Sequence, residues 1–190
     1  FCIRLSSPIM YFLSSILIFF SVRLLTNNNY LAGFSTFIFY LMPGVTFSSF
    51  LISTDVPLIL FSSAFAYLFI IIYKSKSYSI FHFLLLGFIF SFGFLSKYAM
   101  AYHLITFTIL MIFYKNVRKK FLSYKFVFFI IPLIFLLLPH LSWNYNNNFV
   151  TFNHTADNAN IQKIALNIKE LFLFLISQFI VFGIYPFYCI

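Results

Sequence analysis

Between Arg23 and Asp55 the sequence carries no formal charge. The same is true from Val56 to Tyr73, from Tyr98 to Tyr114 and from Phe126 to Ala156. These uncharged runs constrain the fold more than any other feature. A spanning helix needs about 20 predominantly apolar residues, and a backbone in lipid must pair its polar groups within a helix or a closed barrel. Barrel strands alternate apolar and polar residues over about ten positions, and that alternation is missing here. Hydrophobic residues make up 63% of the 190, more than a soluble domain of this size could hide. The sequence therefore predicts an all-α, polytopic transmembrane helix bundle.

The apolar runs divide into seven candidate spans: 5–25, 31–52, 56–73, 78–96, 98–114, 126–142 and 170–190. Residues 1–190 read as one partial transmembrane module, with 143–169 as a polar loop on the outer side. Within that loop Ile161, Ile164, Ala165 and Ile168 recur at i, i+3, i+4 and i+7, opposite Gln162, Lys163 and Asn167. This pattern fits an interfacial amphipathic helix and equally an N-terminal extension of the last span. The chain starts without Met and ends in apolar sequence, so an internal fragment of a larger protein is expected, with no signal peptide.

Charge sets the expected orientation. The formal charge is +9, from twelve Lys and Arg against three acidic residues, Asp55, Asp157 and Glu170. In a soluble domain that balance would point to nucleic acid. Here the cations sit mostly in short loops, where topology explains them and no nucleic-acid partner is needed. "KNVRKKFLSYK" holds Lys115, Arg118, Lys119, Lys120 and Lys125 and is expected on the cytoplasmic side, with Arg23, Lys74 and Lys76. Arg4, Lys97, Lys163 and Lys169 then fall outside. Cys2 and Cys189 imply no disulfide framework. The two "NNN" runs, at 27–29 and 146–148, read as composition bias in polar loops.

That orientation brings the unusual polar residues to one side. Asp55 in "STDVPLILF" precedes Pro57, which suits the first turn of a helix. Thr54 or Asp55 is therefore a helix N-cap favoured by the dipole, or Asp55 is a carboxylate lining an outer cavity. Lys97 in "GFLSKYAMAY" either snorkels at a helix end or, among Tyr98, Tyr102 and His103, binds phosphate as a point charge. A lipid-linked phosphate would carry its anion to that depth. In "LLLPHLSWNYNNNFVTFNH", Pro139 is placed to kink the helix. Trp143 and Tyr145 suit the interfacial aromatic belt, Asn144 and His154 could bond a sugar or phosphate, and His140 reads as satisfied at the interface. No two histidines share metal-ligand spacing on one helix, and no metal site is expected. Asn153-His154-Thr155 matches a glycosylation acceptor. No nucleotide-binding loop, G-x-S-x-G or H-E-x-x-H is present.

In order, "STDVPLILF", a short basic loop, "GFIFSFGFLSKYAM" and "P…LSWNYNNNFVTF" resemble the bacterial branch of the dolichyl-phosphate-mannose protein mannosyltransferase-like family. This is glycosyltransferase family 39, of the GT-C membrane fold, and the aminoarabinose transferase of lipid A is a more distant relative. The resemblance runs from about Leu41 to Phe152. It implies an integral-membrane enzyme that transfers a sugar from a polyprenyl-phosphate donor to a protein, lipid or glycan acceptor on the extracytoplasmic face, in a bacterial inner membrane. It also implies a catalytic acidic residue in an outer loop ahead of the Arg4–Leu25 segment, so no catalytic base is named here and the fragment alone should be inactive. By position, Lys97 and Tyr98 match the "SKYT"-like motif at the donor phosphate, with Ala99 where many relatives carry Thr. Asp55 matches an acidic residue kept before a middle span, and Trp143, Asn144 and His154 border the cavity. A cation aimed at the leaving phosphate stabilises the transition state more than the ground state. A divalent cation or an arginine elsewhere could share that task, though no cofactor is required.

Two other readings stay open. A secondary transporter or lipid flippase also has intramembrane charge and Pro-broken helices, and would show an inverted repeat, which is not apparent. A non-catalytic membrane scaffold would tolerate replacement of Asp55 and Lys97.

Overall fold

The apolar runs resolve their backbone polar groups as helices. The structure, a computed structural model, describes residues 5–158 and 168–182. Its helices are α1 (Ser6–Thr26), α2 (Asn29–Leu41), α3 (Pro43–Ser48), α4 (Asp55–Lys74) and α5 (Ile80–Ser96). A 3₁₀ turn (Tyr98–Ala101) leads into α6 (Tyr102–Phe113) and α7 (Lys115–Phe121). A second 3₁₀ turn (Tyr124–Phe126) opens α8 (Val127–Asn146), followed by α9 (Val150–Asn158) and α10 (Ile168–Phe182). No strand occurs among the described residues.

Fewer of these helices reach spanning length than the seven runs implied. Among the described residues three are long and apolar enough to cross a membrane: α1, α4 and the Tyr124–Asn146 segment. Counting the bent pair of α6 and α7 gives four. The run 31–52 is divided at Pro43. Met42 before it is extended, with ψ of 120°, as a residue preceding proline prefers, leaving α2 with thirteen residues and α3 with six. α5 has seventeen residues, the short end of the spanning range. α8 runs through both Pro132 and Pro139 as one helix.

The asparagine runs, expected to be compositional, terminate helices. Asn27 closes α1 in the left-handed region at φ 54°, its N–H bonded to Arg23 O at 2.9 Å. Asn28 caps α2, its Oδ1 accepting from Tyr30 N at 2.8 Å and Leu31 N at 3.2 Å. After α8, Asn147 Nδ2 donates to Trp143 O at 2.7 Å. Asn148 and Phe149 then take φ of 54° and 55° and turn the chain into α9. Asparagine suits both duties because its short polar side chain caps locally and tolerates the left-handed region.

α1 packs between α2 and α4, α4 against α5, and α5 against α8. The buried face of α1 carries Tyr11 and four serines, Ser7, Ser14, Ser15 and Ser21; serines are small residues that let helices approach closely. Ser14 and Ser21 return their hydroxyls to the carbonyls one turn back, at 2.8 and 2.7 Å, whereas the buried hydroxyl of Tyr11 has no hydrogen-bond partner among the described residues. α5 meets α8 through Gly87, where an added Cβ would lie 2.4 Å from Phe129 O and 3.1 Å from Pro132 Cγ. The main core is aromatic: Phe121 stacks on Phe69 with centroids 4.9 Å apart and meets Phe107 edge-on at 4.9 Å. Large side chains such as Phe12, Phe135 and Phe172 are exposed on the outside, as contact with lipid tails requires.

The bundle has two chemically different ends. At one, Lys120 Nζ donates to the carbonyls of Ile72, Tyr73 and Ser75 at 3.1, 2.6 and 2.6 Å, closing the C-terminus of α4 with a cation where the dipole favours one. Lys74 reaches Leu25 O at 3.3 Å, and Lys125 reaches Tyr78 O at 2.7 Å. α7 turns by 118° from α6, burying Val117 and Phe121 while Arg118 and Lys119 face outward. A short helix with one buried apolar face and one exposed cationic face thus occurs at the basic end. The stretch expected to form an interfacial amphipathic helix at 161–168 lies outside the described residues, except Ile168 at the start of α10. Arg4, Lys163, Cys2 and Cys189 also lie outside them.

Candidate functional site

The opposite end collects the polar residues that an apolar chain carries at a cost. α4 begins at Asp55, and Thr54 occupies its N-cap position without a side-chain cap bond. The carboxylate of Asp55 therefore stands at the positive end of the dipole, free to turn sideways. α5 ends at Ser96, and Lys97 is extended between it and the 3₁₀ turn. This break lets the lysine leave the helix direction. Lys97 Nζ donates to Asp55 Oδ1 at 2.5 Å, across 42 positions of sequence.

The pair is half exposed, at 45% and 46%. Such a bridge contributes about 0–1 kcal/mol to stability, so burial gives no strong reason for its presence. Its chemistry is more informative. An ammonium has three donors, and this one spends a single donor on Asp55. Two remain directed away from the carboxylate, enough to hold two oxygens of an incoming anion.

Beside the pair, Tyr98 is fixed from every side. Its ring stacks on Phe152 at 4.9 Å and 9°, and packs on Phe94 at 5.1 Å. Its hydroxyl lies 2.8 Å from His140 Nε2 and 2.7 Å from Thr151 Oγ1. Thr151 donates to Asn144 Oδ1 in a short bond, and Asn144 Nδ2 donates to His140 O at 3.0 Å. Counting protons gives these bonds a direction. The threonine hydrogen is spent on Asn144, so Tyr98 must donate to Thr151. His140 Nε2 lies within reach of both that hydroxyl and Asn144 Nδ2, the latter at 3.2 Å, and its role in each contact follows its tautomer. The relay runs His140, Tyr98, Thr151, Asn144 and returns to the His140 backbone. It ties the turn after Lys97 to α8 and α9.

Of the residues singled out from sequence, Asp55 and Lys97 are brought into contact, and Tyr98 and Asn144 share one network. Asn144 is fully buried, and the hydroxyl of Tyr98 is occupied within the protein. Trp143 is half exposed, and His154 lies exposed on α9. Sequence reading missed Thr151 and Phe152, and gave His140 only an interfacial role. The i, i+4 spacing of His140 and Asn144 on one helix was the available signal. Thr151 had none, because its place depends on the turn at Asn148 and Phe149. Among the described residues no three His, Cys, Asp or Glu side chains converge as a metal site would require.

With this geometry in view, comparison with known proteins gives one match. A family described as dolichyl-phosphate-mannose-protein mannosyltransferase matches residues 1–143. The match contains Asp55, Lys97, Tyr98, His140 and Trp143, and stops short of Asn144, Thr151 and His154. No curated protein and no solved structure matches the chain.

Proposed function

Because the chain belongs to the dolichyl-phosphate-mannose-protein mannosyltransferase family, a family of membrane glycosyltransferases, we propose that Lys97 holds the phosphate of a polyprenyl-phosphate sugar during transfer. The observation that carries this reading is the Lys97–Asp55 pair at the end of the bundle, with two donors of the ammonium unspent. In the reaction the bond between the anomeric carbon and the phosphate oxygen breaks, and its electron pair stays on the phosphate. A fixed ammonium aimed at that oxygen stabilises the developing charge more than the ground state. Asp55 sets the position of Lys97. The Tyr98 relay holds the backbone turn from which Lys97 projects. Trp143 and His154 border the cavity where sugar and acceptor meet. Deprotonation of the acceptor is left to the acidic residue that the family resemblance places in an outer loop ahead of α1.

The transfer is assigned to the extracytoplasmic face. Supporting this, Lys74, Lys120 and Lys125 are engaged at the end opposite the Lys97–Asp55 pair, and cationic loops stay on the cytoplasmic side. An inner-membrane location and a seven-span count belong to the same reading, with α5 crossing at its seventeen residues. The test restores the full-length protein and replaces Lys97 by Ala and by Arg. Loss of one charge-stabilising donor lowers turnover by about 10²–10³, so Lys97→Ala should fall in that range and Lys97→Arg should retain part of the rate. Unchanged transfer from polyprenyl-phosphate sugar in both variants would overturn the assignment.

A further inference from the structure

A well-formed apolar pocket lies away from the Lys97–Asp55 end. A groove of about 450 Å³ runs between α4 and α6 toward α7, walled by Phe65, Phe69, His103, Phe107, Leu110 and Val117. Its size falls within the ordinary range of small-molecule sites, and its walls are almost wholly apolar. Tyr73 also lines a second pocket, of about 280 Å³, together with Lys74, Asn116, Lys119 and Lys120. An apolar groove and a cationic pocket therefore share the wall at Tyr73, at the basic end of the bundle.

The cations of that second pocket are not equivalent. Lys120 spends all three donors on the carbonyls that end α4. Lys74 spends one, on Leu25 O. Lys119 makes no hydrogen bond or ion pair among the described residues and faces outward from α7. No carboxylate lines either pocket. The cationic pocket thus presents two lysines with spare donors, beside an exposed amide, and needs an anion from outside the chain.

We propose that this composite pocket holds an anionic glycerophospholipid of the adjacent leaflet, its phosphodiester on Lys74 and Lys119 and one acyl chain in the groove toward His103. The two halves of the site match the two halves of that molecule, which a free phosphate does not. Basic pockets between membrane helices on the cytoplasmic side recognise anionic headgroups in this way. The site is independent of the donor reading, since it lies at the other end of the bundle and shares no residue with it.

The test counts bound lipid on the full-length protein in detergent by native mass spectrometry. Phosphatidylglycerol and phosphatidylcholine of identical acyl chains are compared. Each headgroup lysine is worth about a fivefold preference for the anionic lipid, so two give roughly 30-fold in the wild type. Lys119→Gln, which breaks no internal bond, should cut that preference about fivefold. Lys74→Gln with Lys119→Gln should bring it near unity. Ala66→Trp, which fills the groove from α4, should weaken both lipids together. Millimolar inorganic phosphate should displace neither. Equal binding of the two lipids to the wild type would overturn the proposal. So would an undiminished preference in the double variant, unchanged binding in Ala66→Trp, or displacement by inorganic phosphate.

Discussion

Replacing Tyr98 by Phe isolates the relay from everything else at this end of the molecule. The ring keeps its stack on Phe152 and its packing on Phe94, so only the hydroxyl is lost. That oxygen has two partners, His140 Nε2 at 2.8 Å and Thr151 Oγ1 at 2.7 Å. Each bond is worth about 0.5–1.5 kcal/mol net, and a stranded buried donor costs about 1–3 kcal/mol. Measured bonds between membrane helices average nearer 0.6 kcal/mol, and the three side chains here are only partly buried. Together these place the loss at about 1–2 kcal/mol. Unfolding in detergent of the wild type, Tyr98→Phe, Thr151→Val and the double variant measures it. Because the two hydroxyls bond each other, the double variant should be less unstable than the sum of the singles by about 0.5–1 kcal/mol. Strict additivity, with Tyr98→Phe within about 0.3 kcal/mol of wild type, would refute the relay.

Other perturbations test the frame that carries the site. Gly87→Ala sets a methyl 2.4 Å from Phe129 O, a contact that only separation of α5 and α8 can relieve, and should cost about 1–3 kcal/mol in unfolding measurements. Lys120→Met strips three carbonyls of their shared cation and should destabilise by about 1–3 kcal/mol. Lys119→Met, on the same helix, should leave stability unchanged. Asn28→Ala removes the cap of α2 and should cost about 1 kcal/mol, read as the same shift in unfolding.

Much of this was legible in the residues. Uncharged runs dictate helices, and an acid and a base within apolar sequence mark Asp55 and Lys97 as unusual. The expected orientation and the family resemblance put the two in one pocket; their direct ion pair, across 42 positions, depends on where α4 starts and α5 stops. Residues 31–52 read as one run in the sequence, although Pro43 within it makes a continuous helix unfavourable and divides it into α2 and α3. The asparagine runs were underread for the opposite reason. In a chain rich in asparagine their identity looked compositional, yet their positions at helix ends gave them cap and turn conformations. Thr151 and Phe152 join the site only through a left-handed turn whose geometry local propensity does not specify.

The central claim is that the Lys97 ammonium, positioned by Asp55, receives the donor's phosphate. Its most direct measurement is the affinity of the full-length protein for a polyprenyl phosphate without sugar, beside the matching uncharged polyprenol, in wild type and Lys97→Met. The account predicts that Lys97→Met weakens the phosphate by about tenfold or more, equivalent to about 1.4 kcal/mol, and leaves the polyprenol unaffected. Equal affinity of wild type and variant for the polyprenyl phosphate would contradict it.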